Sequence, residues 1–310
     1  MAPRRRLIVG TRGSRLAVAQ TEAVILAMRT ARPELDVSID TIRTTADKLP
    51  DEGFDRLPGI GFFVKELEFA LLDRRIDAAV HSMKDVPADS TAGLQIAAIP
   101  VREDPRDVLV VRGGRGLDTL PRGARVGTSS PRRAAFLRAV RGDLMLVPIR
   151  GNVETRLRKL DAGEVDALCL ALAGLRRIHL ESRAGEVLHP DLMLPAAGQG
   201  ALGIQVREND DVAEWVRILD DAATHTAVEA ERAMLHRLQG GCRLPVGALA
   251  TLEGTRLRLD AAVVAPDGSA AVRGTRTAPP ADAAGLGREL ADDLLRRGAG
   301  AMLPLQGARP

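Results

Sequence analysis

Over the first two-thirds of the chain, short apolar runs alternate with helical patterns, and this alternation constrains the fold more than any other feature. It begins with a strand-like run at 6–10 and a helical pattern at 14–30. Further strand-like runs lie at 37–45, 76–80, 94–99, 108–111, 125–127, 144–149 and 166–170, and further helical patterns lie at 63–74 and begin near Ser130 and Asn152. Strands that alternate with helices form a mainly parallel sheet with helices on both faces. The sequence therefore predicts an α/β protein.

Two linker-like segments divide the alternation. The first, Pro100–Pro105, contains two prolines among polar residues. The second, Leu194–Gly200, precedes another strand-like run at 201–206. We therefore expect the chain to leave a first domain and later return to it.

The pattern changes after Thr226. A helix runs to Leu238, two β-rich runs surround the turn Pro266-Asp-Gly268, and a last helix covers 284–297, as is typical of a small α+β domain. A chain of 310 residues that is 45% hydrophobic is long enough for several cores. The predicted domains are 1–100 with 200–222, 104–195, and 225–310.

Composition excludes several classes of protein. A net charge of +3 and an aromatic content of 2% argue against a nucleic-acid partner, which needs a basic surface and stacking platforms. The apolar runs are far shorter than the roughly 20 residues of a membrane span, and no secretory signal fits the start. We therefore expect a cytoplasmic protein without a membrane partner. Two cysteines without a metal-binding spacing predict neither a disulfide framework nor a metal site.

Arginines follow three strand-like runs at the points where helices begin. These loops are Gly10-Thr-Arg-Gly-Ser14, Gly127-Thr-Ser-Ser-Pro-Arg-Arg133 and Ile149-Arg-Gly-Asn152. Ligands of open α/β sheets lie beyond the carboxyl ends of strands, where helix N-termini and guanidinium groups attract anions. Arg156 and Arg177 extend the pattern.

A single arginine of this kind is more often a solvated surface charge, but its recurrence at one sheet edge favours a ligand site. The phosphate-loop and dinucleotide fingerprints are missing, which favours several separate carboxylates over a nucleotide. The sequence therefore predicts a polycarboxylate substrate in an arginine-lined cleft between domains.

Two further segments contain side chains that are candidates for catalysis or covalent attachment. An apolar strand delivers Lys84 and Asp85 at its carboxyl end, although this motif alone also fits a surface ion pair. Cys242 lies in a loop with two glycines and Arg243, which suits a reactive thiol or an attachment point. Cys169 lies within an apolar run and is expected in the core, and His81 is expected to be a packed strand residue.

Taken together, these segments resemble the porphobilinogen deaminase family. The resemblance keeps the same order over almost the whole chain. It rests on Thr11-Arg-Gly-Ser-Arg-Leu-Ala17, Phe63-Val-Lys-Glu-Leu-Glu68, His81-Ser-Met-Lys-Asp-Val-Pro87, Arg102-Glu-Asp-Pro-Arg-Asp107, Gly127-Thr-Ser-Ser-Pro-Arg-Arg133, Arg150-Gly-Asn-Val-Glu-Thr-Arg156, Leu194-Pro-Ala-Ala-Gly-Gln-Gly-Ala201, Glu231-Arg-Ala and Gly240-Gly-Cys242.

The resemblance implies a monomeric transferase that joins four porphobilinogen molecules into hydroxymethylbilane with release of ammonia. It implies two periplasmic-binding-protein-like lobes with mainly parallel sheets, plus a small α+β C-terminal domain. It also implies a dipyrromethane cofactor bound by thioether to Cys242, with Asp85 as the catalytic residue. The residues implied to bind the cofactor are Lys84, Asp85, Ser129, Arg132, Arg133 and Arg150, and those implied to bind the substrate are Arg12, Ser14, Arg150, Arg156 and Arg177.

One segment departs from the family pattern. The family often has a lysine before its Val-Lys-Glu-Leu-Glu helix, where this chain reads Gly59-Ile-Gly-Phe-Phe63. Arg56 is the candidate replacement for that charge. The main alternative function is a solute-binding protein with two anion-binding lobes, which has no need of Cys242.

Overall fold

A computed structural model describes residues 5–42, 64–114, 116–239 and 244–303. These residues form thirteen strands and eight α-helices. The strands are β1 (Arg5–Arg12), β2 (Leu35–Ile42), β3 (Ala78–Ser82), β4 (Leu94–Ala98), β5 (Asp107–Val111), β6 (Arg125–Gly127), β7 (Met145–Val147), β8 (Ala167–Ala171), β9 (Glu186–Val187), β10 (Leu202–Arg207), β11 (Val246–Glu253), β12 (Arg256–Val264) and β13 (Ala271–Ala278). The helices are α1 (Arg15–Ala31), α2 (Lys65–Leu72), α3 (Pro131–Val140), α4 (Val153–Asp161), α5 (Leu172–Arg177), α6 (Val212–Val216), α7 (Ala222–Arg237) and α8 (Ala283–Arg296).

The chain divides into two compact units. The first contains 1–103 and 201–225, and the second contains 104–200 and 226–310. The second unit thus includes both the predicted second lobe and the predicted C-terminal domain, each with a sheet of its own. The finer division into three domains stays a prediction.

The sheet of the first unit has the strand order β2-β1-β3-β10-β4. Strands β1, β2 and β3 are parallel, whereas β10 is antiparallel to both of its neighbours. One face packs on α1 through Val24 and Met28, and the other packs on α2 through Leu67 and Leu71. Helices therefore cover both faces, as predicted.

The larger sheet of the second unit repeats this plan in the order β7-β6-β8-β5-β9. Strands β6, β7 and β8 are parallel, and β5 is antiparallel to β8 and β9. The predicted α/β lobes are confirmed, and each sheet is mixed. Each of the antiparallel strands β5 and β10 follows one of the two linkers. A strand that follows a crossover helix lies parallel to the strand before that helix, but among the residues that the structure describes no such helix directly precedes β5 or β10.

The C-terminal part is an antiparallel sheet, β11-β12-β13, covered by α8. The predicted turn joins β12 to β13, and Gly268 has a φ of 80° there. Strand β11 was not predicted, because its buried face consists of small residues, including Ala248 and Ala250, that give a weak alternation signal. The short elements α5, α6 and β9 were also not predicted.

Within the described part of the chain, no helix combines the length and hydropathy needed to span a membrane.

Candidate active site

In the first unit, four predicted site residues lie at one edge of the sheet. Arg12 ends β1, and Ser14 precedes α1. Lys84 and Asp85 lie in the 3-10 turn that follows β3. Because β1 and β3 are adjacent parallel strands, their carboxyl ends bring these side chains to the same edge.

Ser14 is the N-cap of α1. Its hydroxyl accepts a hydrogen bond from the Ala17 amide at 3.2 Å, and Thr11, which is fully buried, donates to the Ala17 carbonyl. These local bonds fix the path from β1 into α1. They also hold the loop that carries Arg12.

The turn of Lys84 and Asp85 is anchored by its first residue. Met83 is buried, and its amide donates to the Ala201 carbonyl at 3.0 Å. Lys84 and Asp85 remain partly exposed. The turn thus presents a cation and a carboxylate side by side on a rigid base.

In the second unit, further predicted site residues follow the carboxyl ends of the equivalent strands. Ser129 follows β6, Arg150 follows β7, and Arg177 lies on the helix after β8. Strands β6, β7 and β8 are parallel neighbours, so their carboxyl ends also share one edge. Arg156 lies in the first turns of α4, where its Nε donates to the Gly151 carbonyl at 2.8 Å.

Ser129 joins two of these loops. Its hydroxyl donates to the Ile149 carbonyl at 2.6 Å and accepts from the Ile149 amide at 3.1 Å. Arg150 is the next residue along the chain. Ser129 therefore contributes to the position of Arg150.

Arg132 and Arg133 lie inside the protein. They are 3% and 7% exposed, and both bind the fully buried carboxylate of Asp107. Arg132 Nη1 donates to Asp107 Oδ2 at 2.6 Å, and Arg133 Nε donates to Oδ1 at 2.9 Å. Gln199 Nε2 also donates to Asp107 Oδ1, at 3.0 Å.

This buried cluster has an electrostatic consequence. Burial alone would raise the pKa of Asp107, but the charges of Arg132 and Arg133 outweigh burial and hold it at about 2. The three side chains together carry one net positive charge. Within the described residues, the buried Nε of Arg132 has no hydrogen-bond partner. A buried donor of this kind is satisfied only when an acceptor covers it.

Arg177 also makes a contact inside its unit. Its Nη2 donates to the Gly200 carbonyl at 2.6 Å, while its side chain stays partly exposed. The bond ties α5 to the end of the second linker. A guanidinium with five donors can make such a bond and still bind a carboxylate.

The structure tests the prediction for one of the two cysteines and does not describe the other. Cys169 is fully buried, and burial raises the pKa of its thiol to about 12, which confirms the prediction of a core residue. Cys242 and the neighbouring Arg243 lie outside the described residues, as does the segment of Arg56 and Ile60. The roles predicted for these residues remain predictions.

Two buried carboxylates that bind other groups within the second unit were not predicted as functional residues. In the sequence Asp107 is the last residue of a family motif, and in the fold it is the carboxylate that orders two arginines. Glu231 is fully buried and accepts from the amides of Gly198 and Ala250 at 2.6 and 2.8 Å. Apart from their places in family motifs, the signal for either role was a charged residue next to apolar residues.

Two models of one protein family match successive parts of the chain. A model described as "Porphobilinogen deaminase, dipyromethane cofactor binding domain" matches residues 7–214. A second, "Porphobilinogen deaminase, C-terminal domain", matches residues 225–296. Among solved structures, a probable amino-acid ABC transporter extracellular-binding protein from Bacillus subtilis is similar, with a TM-score of 0.41, 14% identity, and coverage of 69% of this chain and 90% of that chain.

Curated relatives match nearly end to end. A porphobilinogen deaminase of Desulforudis audaxviator is 50% identical over 301 residues, which is 97% of each chain. Another, of Syntrophobacter fumaroxidans, is 49% identical over 94% of each chain. A third, of Sorangium cellulosum, is 52% identical over 87% of this chain and 90% of the relative. On these matches, the chain belongs to the porphobilinogen deaminase family, enzymes of tetrapyrrole synthesis with a dipyrromethane cofactor domain.

Proposed function

We propose that this chain is a transferase that condenses four porphobilinogen molecules into hydroxymethylbilane, with release of ammonia and uptake of one water that supplies the hydroxyl group of the product. The observation that carries the proposal is the grouping of arginines at the carboxyl edges of parallel strands, with Asp85 on the same edge as Arg12. Porphobilinogen carries two carboxylates, so each added unit brings two more anionic groups. Several arginines in each unit suit a product whose negative charge grows with its length.

The residues of the second unit fit an anionic cofactor. The buried Nε of Arg132 has no partner among the described residues, and the cluster with Asp107 and Arg133 keeps one net positive charge. Ser129 and Arg150 lie at the same edge of the sheet. We propose that these residues and Lys84 hold the carboxylates of a dipyrromethane attached to Cys242. When bound, that group would supply a nucleophilic pyrrole carbon.

We propose that Asp85 acts on the substrate cation. Loss of ammonia from porphobilinogen leaves a positively charged methylene-pyrrole, which a fixed carboxylate stabilises by charge and by accepting a pyrrole N–H. The buried Met83 limits the movement of the turn, so little reorganisation is needed. Arg12, Ser14, Arg156 and Arg177 are the proposed partners of the substrate carboxylates.

The test is the Asp85→Ala variant assayed for ammonia and hydroxymethylbilane. We expect turnover to fall roughly 10²- to 10³-fold, because one preorganised group opposite the developing charge is lost. The exposed Asp36 in β2 provides a matched control, and Asp36→Ala should keep wild-type turnover. Near-normal turnover by Asp85→Ala would contradict the role of Asp85, and a wild-type protein that releases no ammonia from porphobilinogen would contradict the proposed function.

A further inference from the structure

Strand β10 contributes a buried glutamine to the strand that precedes the Lys84–Asp85 turn. Gln205 is paired with Ala79 of β3 in the antiparallel register, so it lies on the same face as His81, two residues along. Its Oε1 is 2.9 Å from Nε2 of His81. His81 and Gln205 are 5% and 4% exposed, so this contact is shielded from water.

Helix α2 supplies the third side chain of this hydrogen-bonded series. Gln205 Nε2 donates to Oε1 of Glu68 at 3.0 Å, and Glu68 is 9% exposed. The three side chains thus form a continuous buried connection, Glu68–Gln205–His81, between α2 and the end of β3. We call this connection the β10 relay.

The direction of the hydrogen bonds in the β10 relay follows from the carboxylate. An ionised carboxylate accepts and cannot donate, so the amide nitrogen of Gln205 faces Glu68 and its oxygen faces His81. That oxygen accepts, so Nε2 of His81 must carry a proton. Burial, helped by the charge of Arg12, outweighs the opposing bond to Gln205 and lowers the pKa of His81 to about 4. The ring is therefore neutral and protonated at Nε2, with its lone pair on Nδ1.

The β10 relay ends next to the proposed catalytic turn. Only Ser82 and Met83 separate His81 from Lys84 and Asp85. Met83 fills the space that a side chain at Gly203 of β10 would occupy. Gly203 and Gln205 lie on the same face of β10, where Gly203 leaves room for Met83 and Gln205 contacts His81, so β10 holds the end of β3 at two points.

We propose that Glu68 is a positioning residue for the Lys84–Asp85 turn and that it acts through Gln205 by holding His81 as the neutral Nε2-protonated tautomer. The proposal rests on the proposed function for its kinetic consequence only. The tautomer of His81 is a property of the protein itself.

The experiment uses the full-length protein and two readouts. Side-chain 15N–1H correlation spectra report the tautomer of His81, with a His81→Asn variant to assign the signal, and steady-state assays report kcat and KM for porphobilinogen. We expect the wild-type ring to be protonated at Nε2 across neutral pH. In Glu68→Met the amide is free to turn, so the Nδ1-protonated form should appear and kcat should fall roughly 2- to 30-fold with KM kept.

Two further variants separate the β10 relay from a general loss of stability. Glu68→Gln keeps the size of the side chain but can donate as well as accept, so it should give a mixture of the two tautomers and a kcat between those of wild type and Glu68→Met. Glu22→Met makes the matched substitution at an exposed position of α1 and should change neither. A wild-type His81 that is doubly protonated or protonated at Nδ1, or a Glu68→Met variant that changes only one readout or neither, would overturn the proposal. A wild-type protein with the expected tautomer but no turnover would instead contradict the proposed function.

Discussion

Loss of the Asp107 carboxylate should strongly destabilise the second unit. It is fully buried between Arg132 and Arg133. In Asp107→Asn, two buried guanidinium groups lose their anion, so we expect the free energy of unfolding to fall by about 3–5 kcal/mol. Urea unfolding with an unchanged m-value measures this loss.

The matched control for this prediction is an exposed ion pair in the same unit. Asp161 pairs with Arg183 at 2.6 Å, but the Asp161 side chain is 55% exposed. Asp161→Asn should therefore change the free energy of unfolding by less than about 1 kcal/mol. Equal effects of Asp107→Asn and Asp161→Asn would contradict the importance of burial.

The stability contributed by Asp107 should also depend on pH. Its pKa is about 2 in the folded protein, below the ordinary value of 3.8. A lowered pKa stabilises the folded state above the ordinary value, and this stabilisation disappears as the pH falls through the folded value. The difference in unfolding free energy between wild type and Asp107→Asn should therefore shrink by about 2 kcal/mol between pH 5 and pH 2. A difference that stays constant over this range would contradict the assignment.

Single residues also show the limit of prediction from the sequence. The arginines after strand ends could be predicted, because strand, loop and helix cap are local signals in the loops of Arg12, Arg132 and Arg150. The partner of Arg132 could not, because Asp107 is 25 residues away in sequence and reaches it only through the folded sheet. For the same reason the β10 relay has no local signature.

At the scale of elements, Ser129 connects the loop after β6 to the loop after β7. We expect Ser129→Ala to free the Ile149 backbone and let Arg150 move, which raises KM for porphobilinogen roughly 5- to 30-fold by loss of about 1–2 kcal/mol of hydrogen bonding. Arg150→Ala should raise KM at least as much. Kinetics of both variants together with hydrogen exchange at Ile149 measure the effect.

Ser130 serves as the control for this loop. Its hydroxyl accepts from the Arg133 amide at the start of α3, so Ser130→Ala should cost about 1 kcal/mol of stability and leave KM unchanged. An unchanged KM and unchanged exchange at Ile149 in Ser129→Ala would show that the hydroxyl does not position Arg150.

Elements were predicted well where their signals are local. Helical patterns were predicted to begin at Ser14 and near Ser130 and Asn152, and α1, α3 and α4 begin at the next residue in each case. The reversal of β10 within the first sheet was not predicted, because its fully buried run carries no information on direction.

At the scale of the whole molecule, Glu231 joins parts of the second unit. From α7 it binds the amides of Gly198, in the second linker, and Ala250, in β11. Glu231→Ala leaves two buried donors unpaired, each costing about 1–3 kcal/mol, so exchange protection should fall at Gly198 and Ala250. Strands of the first unit should keep their protection.

An exposed glutamate of the same helix provides the comparison. Glu229→Ala should leave the exchange pattern unchanged. Loss of protection spread evenly over both units of Glu231→Ala would contradict a role confined to the second unit.

The two linkers were the strongest whole-molecule signal in the sequence. The unit boundaries at 103/104 and 200/201 lie within or at the end of the predicted linkers. The grouping of the C-terminal part with 104–200 could not be predicted, because it depends on buried contacts such as that of Ala248 with the Pro195 carbonyl.

The intact mass of the denatured protein, compared with that of Cys242→Ser, tests the central claim most directly. We predict that the wild type exceeds its polypeptide mass by two linked pyrrole units and that the variant does not. If the preparation is apo, incubation with porphobilinogen should add that mass to the wild type only. A bare polypeptide mass that persists after this incubation would contradict a covalent carrier at Cys242, and with it the proposed reaction.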